Sequence, residues 1–242
     1  DETHHVAEGY DADVLLRWGD PIFADAPAFD IRNQTPEAQA RQFGYNNDYT
    51  EIQLIPGPKG RRAVMFVNHE YTNENIMFPP TMPVEDQRTV GMINHGLSVV
   101  EIRKGANGWE PVEGSRLNRR ISARTTAMQI AGPAAGHARM KTKADPSGKH
   151  VIGTLNNCSG GVTPWGTVLT AEENFNMYFG GDTDKTPEAA NHKRLGIKGK
   201  SRYAWPRFHA CHPATIRRRS PARRFRAPRS RRSPHARGST TA

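Results

Sequence analysis

The sequence is short of cysteine, of long apolar runs, and of stretches free from glycine and proline. Two cysteines, Cys158 and Cys211, among 242 residues exclude a disulfide-stapled scaffold and a cysteine-rich zinc module. No window approaches the ~18 uncharged apolar residues that a membrane-spanning helix requires. With 22 Gly and 18 Pro, the chain breaks into short segments, which excludes a bundle of long helices. The 36% of hydrophobic residues still permits one medium domain or two small ones with real cores.

Acidic residues are missing altogether from 210–242, which holds ten Arg, no Lys, and 24 residues of 33 that are Arg, Ala, Pro or Ser. Residues 1–209 therefore carry 24 basic and 24 acidic groups, and the net charge of +10 belongs to the tail. Such a composition cannot bury enough surface to offset its ordering entropy, so the tail is expected to be disordered. A basic arm for nucleic acid is one reading of it. An out-of-frame readout of a GC-rich gene is the other, and it is preferred because the tail starts abruptly at Ala210 and its spacing does not repeat. The chain opens at Asp1 without a basic-then-apolar targeting stretch, which fits a removed signal or a segment excised from a longer chain.

Residues 1–48 hold few periodic apolar runs and are expected to wrap the rest, with one helix at 36–42 that has Thr35 as N-cap and Pro36 at its first position. From residue 49 the pattern becomes that of strands. Residues 49–54 alternate through Ile52 and Leu54, Pro56-Gly57-Pro58 turns the chain, and 62–68 is a nearly continuous apolar run, together predicting a hairpin with one buried strand. Further strands are predicted at 96–103, 108–113, 150–155 and 166–172. The expected fold is all-β with a few short helices, as a sandwich, barrel or propeller. The expected organisation is a wrapping segment at 1–48, a β portion at 49–209 and the tail at 210–242.

Three strands run into loops rich in acceptor atoms. One ends in Asn68-His69-Glu70-Tyr71-Thr72-Asn73, a second in Asn156-Asn157-Cys158-Ser159-Gly160-Gly161, and a third in Ala171-Glu172-Glu173-Asn174. Such ends deliver side chains to one rim of a β scaffold. Carboxylate and amide oxygens there suit a hard cation such as Ca²⁺, whereas a lone thiolate suits iron, zinc or copper. Cys158 is thus a metal ligand, a nucleophile or a buried small hydrophobe. Glu172 and Glu173 are neighbours on a strand and face opposite ways, so at most one of them points inward. Residues 130–137, beside Arg139, Lys141 and Lys143, read as an anion cradle or a turn-rich connector. Of the ten His, only His69 and His137 lie in suggestive contexts, and no HxxxH, CxxC or GxSxG pattern is present.

The order of these motifs resembles the PhoX family of bacterial alkaline phosphatases. The resemblance rests on Arg17-Trp18-Gly19-Asp20-Pro21, Phe43-Gly44-Tyr45-Asn46-Asn47-Asp48, Val67-Asn68-His69-Glu70-Tyr71-Thr72-Asn73, Gly91-Met92-Ile93-Asn94-His95-Gly96 and Gly132-Pro133-Ala134-Ala135-Gly136-His137. It continues through Gly153-Thr154-Leu155-Asn156-Asn157-Cys158-Ser159-Gly160-Gly161, Thr163-Pro164-Trp165-Gly166-Thr167 and Thr170-Ala171-Glu172-Glu173-Asn174-Phe175-Asn176, and spans about 14–208. The resemblance implies a β-propeller with iron and calcium at its hub, export by the twin-arginine route to the periplasm or medium, and hydrolysis of phosphomonoesters by a monomer. It makes Cys158 the thiolate ligand of iron, Glu173 or Glu172 a metal carboxylate, and Glu70 a further one.

The later part of the family propeller, with further metal carboxylates and a phosphate-binding Arg, has no counterpart in this sequence. The expectation is therefore a truncated phosphatase with a partial propeller, against which stand an inactive fragment of the family and, third, nucleic-acid binding through the tail.

Overall fold

The computed structural model describes residues 4–57 and 61–208, and the backbone alone of 223–226. Strands β1 (Asn47–Leu54), β2 (Arg62–His69), β3 (Gly96–Gly105) and β4 (Gly108–Pro111) form an antiparallel meander in that order, with β5 (Arg119–Ile121) beside β3. β4 pairs with the last residues of β3 and β5 with the first, so the two share its outer edge. A second sheet runs β8 (Asn157–Val162), β9 (Thr167–Glu172), β10 (Arg223–Arg226), and β6 (Ala127–Gln129) pairs with β7 (His150–Ile152). The chain is mostly β with a few short helices, as its sequence predicts.

β2 reads as a continuous apolar run because both of its faces are covered. Ala63, Met65 and Val67 pack with Val100, Ile102, Ile22 and Phe43 on one side. Val64 and Phe66 pack with Leu97, Val99, Ile121 and Val168 on the other. Ile22 and Phe43 come from the segment before β1, which is held to itself by the bridge between Pro21 and Gln42. α1 (Pro36–Gln39) is the predicted short helix, and Thr35 Oγ1 caps it by accepting from Ala38 N at 3.1 Å.

Several local expectations need correction. Ile52 and Leu54 face outward, 49% and 64% exposed, while the Tyr49 side of β1 turns toward the second sheet, where its ring lies against Gly160. The stretch 156–161, read as a loop, is mostly the strand β8. The predicted strand at 150–155 stops at Ile152. Two helices were not expected, α2 (Glu74–Met77) and α3 (Val84–Asn94), and α4 (Ala189–Arg194) follows later. The backbone of 223–226 pairs antiparallel with β9. The remaining expectations about 210–242, including Cys211, lie outside the described residues.

α3 enters β3 through Gly96, whose φ of +104° and position against Ile121 O, 2.0 Å from where a β-carbon would stand, admit only glycine. The C-terminal carbonyls of α3 are gathered by Arg120, which donates to Ile93 O, Asn94 O, His95 O, Leu97 O and Ile121 O at 2.5–3.3 Å. A guanidinium there answers both the orphan carbonyls and the negative end of the helix dipole. Burial pushes its pKa down to about 9, so it keeps its charge at neutral pH.

Candidate metal centre

The two sheets meet at the end of β2. Asn68 Nδ2 donates to Cys158 O at 3.0 Å, and Asn68 Oδ1 accepts from Thr170 Oγ1 at 2.9 Å. Thr170 in turn accepts from Asn157 Nδ2 at 3.1 Å, and Asn157 Oδ1 lies 3.1 Å from Thr154 Oγ1. This neutral network fixes the start of β8 against the end of β2.

The residues flanking that seam converge. Single ligand atoms of Asp48, Glu70 and Cys158 all lie within 4.8 Å of one another. Hydrogen bonds to the Asp48 and Glu173 carboxylates, then burial and the charges of Asp48 and Glu70, push the Cys158 thiol far up from its ordinary value. Burial, then the charges of Asp48 and Glu173, raises Glu70. Three carboxylates and a thiol thus crowd one point, and among the described residues no ion pair reaches Asp48, Glu70 or Glu173. Carboxylates crowded around a thiol and a carboxyl that they hold protonated are those a cation relieves, and a bound metal inverts the shift and deprotonates a coordinating thiol. The donor set, hard oxygens with one soft sulfur, fits a mixed centre.

Glu70, Cys158 and Glu173 are thus brought together. Glu172 is not, for its Oε1 accepts from Thr154 Oγ1 at 2.8 Å and from Leu155 N at 3.1 Å. Adjacent strand residues facing opposite ways account for the split. His69 is buried beneath the site, its Nε2 accepting from Gly44 N at 3.3 Å and bonded to Ser98 Oγ at 2.8 Å; burial holds its pKa well down. His137 caps the 3-10 turn Ala138–Met140 at the surface, and 130–137 is a connector of turns beside the Arg139–Glu188 pair.

Asp48 was missed by reasoning from strand ends, because it sits at a strand's beginning. The residues that brace the site loop from behind were missed as well. Asn156 carries the site loop on three bonds: its carbonyl accepts from Glu173 N at 2.9 Å, its Oδ1 accepts from Asn174 N, and its Nδ2 donates to the Tyr178 hydroxyl at 3.1 Å. Tyr178 is fully buried and bonded at 3.0 Å to His95 Nε2, while His95 Nδ1 lies 2.6 Å from Gly91 O. Since a carbonyl only accepts, the proton sits on Nδ1, Nε2 is the acceptor, and Tyr178 donates to it. The rings pack with Tyr203 and Trp205, Tyr178 stacking on Tyr203 at 4.7 Å.

The family model described as alkaline phosphatase PhoX matches residues 1–223. Among solved structures, Pseudomonas fluorescens PhoX in complex with vanadate, a transition state analogue, is 41% identical with a TM-score of 0.77 over 86% of this chain and 37% of that one. The chain therefore spans little more than a third of that relative's length. No curated protein matches it. With most of its length matched by the family model and its fold shared with a PhoX structure, the chain belongs to the alkaline phosphatase PhoX family.

Proposed function

We propose that this chain carries part of a phosphomonoester hydrolase centre in which Asp48, Glu70, Glu173 and Cys158 hold iron and calcium, in a protein exported to the periplasm or medium. The convergence of Asp48, Glu70 and Cys158 within 4.8 Å, in a member of a phosphatase family, carries this reading. The vanadate bound by the Pseudomonas fluorescens relative supports it, since that ion is named there as a transition state analogue.

Bound among these ligands, the metals would supply the positive charge that offsets a phosphate dianion and the charge developing on its equatorial oxygens. The protein's part is to hold that charge at one place. Cys158 gives up its proton on ligation, which reverses the upward shift its carboxylate neighbours impose. Glu70, also raised by its neighbours, would become a full carboxylate for the same reason. Asn156 keeps the Glu173 and Asn174 backbone from swinging away as charge accumulates. Without a cation the three carboxylates would repel the substrate, so metal occupancy must precede phosphate binding.

Elemental analysis of the purified 242-residue chain, alongside p-nitrophenyl phosphate turnover with Ca²⁺, after chelation and with vanadate, tests this. The expected result is co-purifying iron, turnover that chelator and vanadate abolish, and loss of both iron and turnover in Cys158→Ala. Iron retained with undiminished turnover in Cys158→Ala would refute the ligand assignment. Metal without turnover would refute phosphatase action by this chain while leaving the centre standing.

A further inference from the structure

Two corners of the candidate centre repeat one another. Asn46-Asn47-Asp48 leads into β1 and Asn156-Asn157-Cys158 into β8. The first Asn of each is left-handed, with φ of 54° at Asn46 and 48° at Asn156. Asn tolerates that region far better than most residues with a β-carbon, and among the described non-glycine residues only Ala204 joins them there.

The second Asn of each corner pairs across its hairpin with the residue just before a candidate glutamate, Asn47 with His69 and Asn157 with Glu172. Each ladder then slips, between Asn47 and Thr50 in one and between Asn157 and Gly160 in the other. Such an irregularity re-aims a side chain out of the regular pleat, and in both hairpins it spans the third residue, Asp48 or Cys158. Finally, the left-handed Asn carbonyl accepts the glutamate's amide in both corners: Asn46 O from Glu70 N at 3.2 Å, and Asn156 O from Glu173 N at 2.9 Å.

We propose that the centre is assembled from two copies of one ligand-presenting corner, in which Asn46 and Asn156 are equivalent positioning residues. Each sets the direction in which two ligands leave the backbone: the residue two places on, and the glutamate opposite. The corners share a backbone and differ in donor, Asp48 in one and Cys158 in the other. They also differ in support, because only Asn156 is tied through its side chain to Tyr178 and Asn174. This inference rests on the metal-centre reading above.

The test compares Gly with Ala at each position in the full chain. Both lack the side-chain amide, so any gap between them reads the preference for the left-handed backbone alone. Two quantities are measured: hydrogen exchange at the Glu70 and Glu173 amides, and Ca²⁺ affinity by titration. Asn46→Ala is expected to exchange its Glu70 amide ~10-fold faster than Asn46→Gly does, with Glu173 unmoved. Asn156→Ala against Asn156→Gly is expected to show the same gap at Glu173, with Glu70 unmoved. In both pairs the Ala variant is expected to bind Ca²⁺ ~10-fold more weakly than its Gly partner.

Equal behaviour of Gly and Ala at either corner would overturn the proposal. So would an Ala variant that loosens both glutamate amides together with Met65 and Val99 in the β2–β3 core, which marks general destabilisation. A native chain that takes up no Ca²⁺ refutes the metal-centre reading, and the amide comparison then decides the corner proposal by itself.

Discussion

Replacing Tyr178 by Phe isolates one hydroxyl at the centre of the buried support. The ring keeps its place, stacked at 4.7 Å on Tyr203 and edge-on to His95 at 5.1 Å, so apolar burial and aromatic contacts are unchanged. Two partners are stranded: His95 Nε2 loses its donor and Asn156 Nδ2 its acceptor. Both residues are 1% exposed, so water does not take over. A buried polar group left unpaired costs ~1–3 kcal/mol, which puts the loss at about 2–6 kcal/mol against the ~5–15 kcal/mol typical of a domain. Urea unfolding with an unchanged m-value measures it. The control is Tyr203→Phe, the same chemical change one ring away at a hydroxyl that bonds neither His95 nor Asn156; it is expected to cost clearly less than Tyr178→Phe. Equal losses in the two variants, or a Tyr178→Phe loss below ~0.5 kcal/mol, would refute the claim that the hydroxyl ties His95 to Asn156.

Two further outcomes follow from the same neighbourhood. Burial, helped by the nearby Arg120 charge, holds the His95 pKa down at about 3 from its ordinary 6.5. The unfolded chain therefore binds a proton that the folded chain refuses between those values, so the stability due to His95 is complete above pH 6.5 and is lost as the pH falls toward about 3. Unfolding free energies at pH 7 and pH 5.5 should differ by ~1.3 kcal/mol more in the native chain than in His95→Gln, and parallel pH dependences would exclude the effect. Removal of the α3 terminus cap by Arg120→Leu should cost about 3 kcal/mol, because several carbonyls lose a charged donor at once. Arg120→Lys should recover only part of this in urea unfolding, since one ammonium cannot match the reach of the fork, and full recovery would reduce Arg120 to a point charge.

The elements legible in the sequence are those whose cause is local. β2 could be read because a strand covered on both faces must be apolar throughout, and α1 because Thr35 and Pro36 set its start by themselves. β1 misled because it is an edge strand whose inner face is polar: Tyr49 Oη donates to Glu51 Oε2 at 2.8 Å, leaving Ile52 and Leu54 to the outside. α3 was passed over although Pro83, Glu85 and Asp86 mark its start. Its buried residues crowd into 90–94, one end of the helix, so no 3.6-residue stripe runs its length. Cys158, Glu70 and Glu173 were legible as candidates from their strand-end context and the family motifs. Arg120 and Tyr178 were not, because Arg120 bonds backbone carbonyls and Tyr178 is matched with residues 22 and 83 positions away, and neither kind of partner leaves a pattern in the neighbouring sequence.

Placing like charges at a seam between two sheets has a thermodynamic consequence on the proposed reading. Asp48 lies in the first hairpin with Glu70 just past its end, and Glu173 lies just past the end of the second, so repulsion between these carboxylates opposes closure of that seam. The network of Asn68, Thr170, Asn157 and Thr154 is uncharged, and it holds the seam without adding to that charge. A cation reverses the sign of the largest electrostatic interaction there and joins the hairpins through their ligands, so metal affinity and the stability of the seam must rise together. The two left-handed asparagines matter for this coupling because backbone that is already set does not have to be ordered when the metal arrives. A corner that must first find its hand loses affinity in proportion to how seldom it does so.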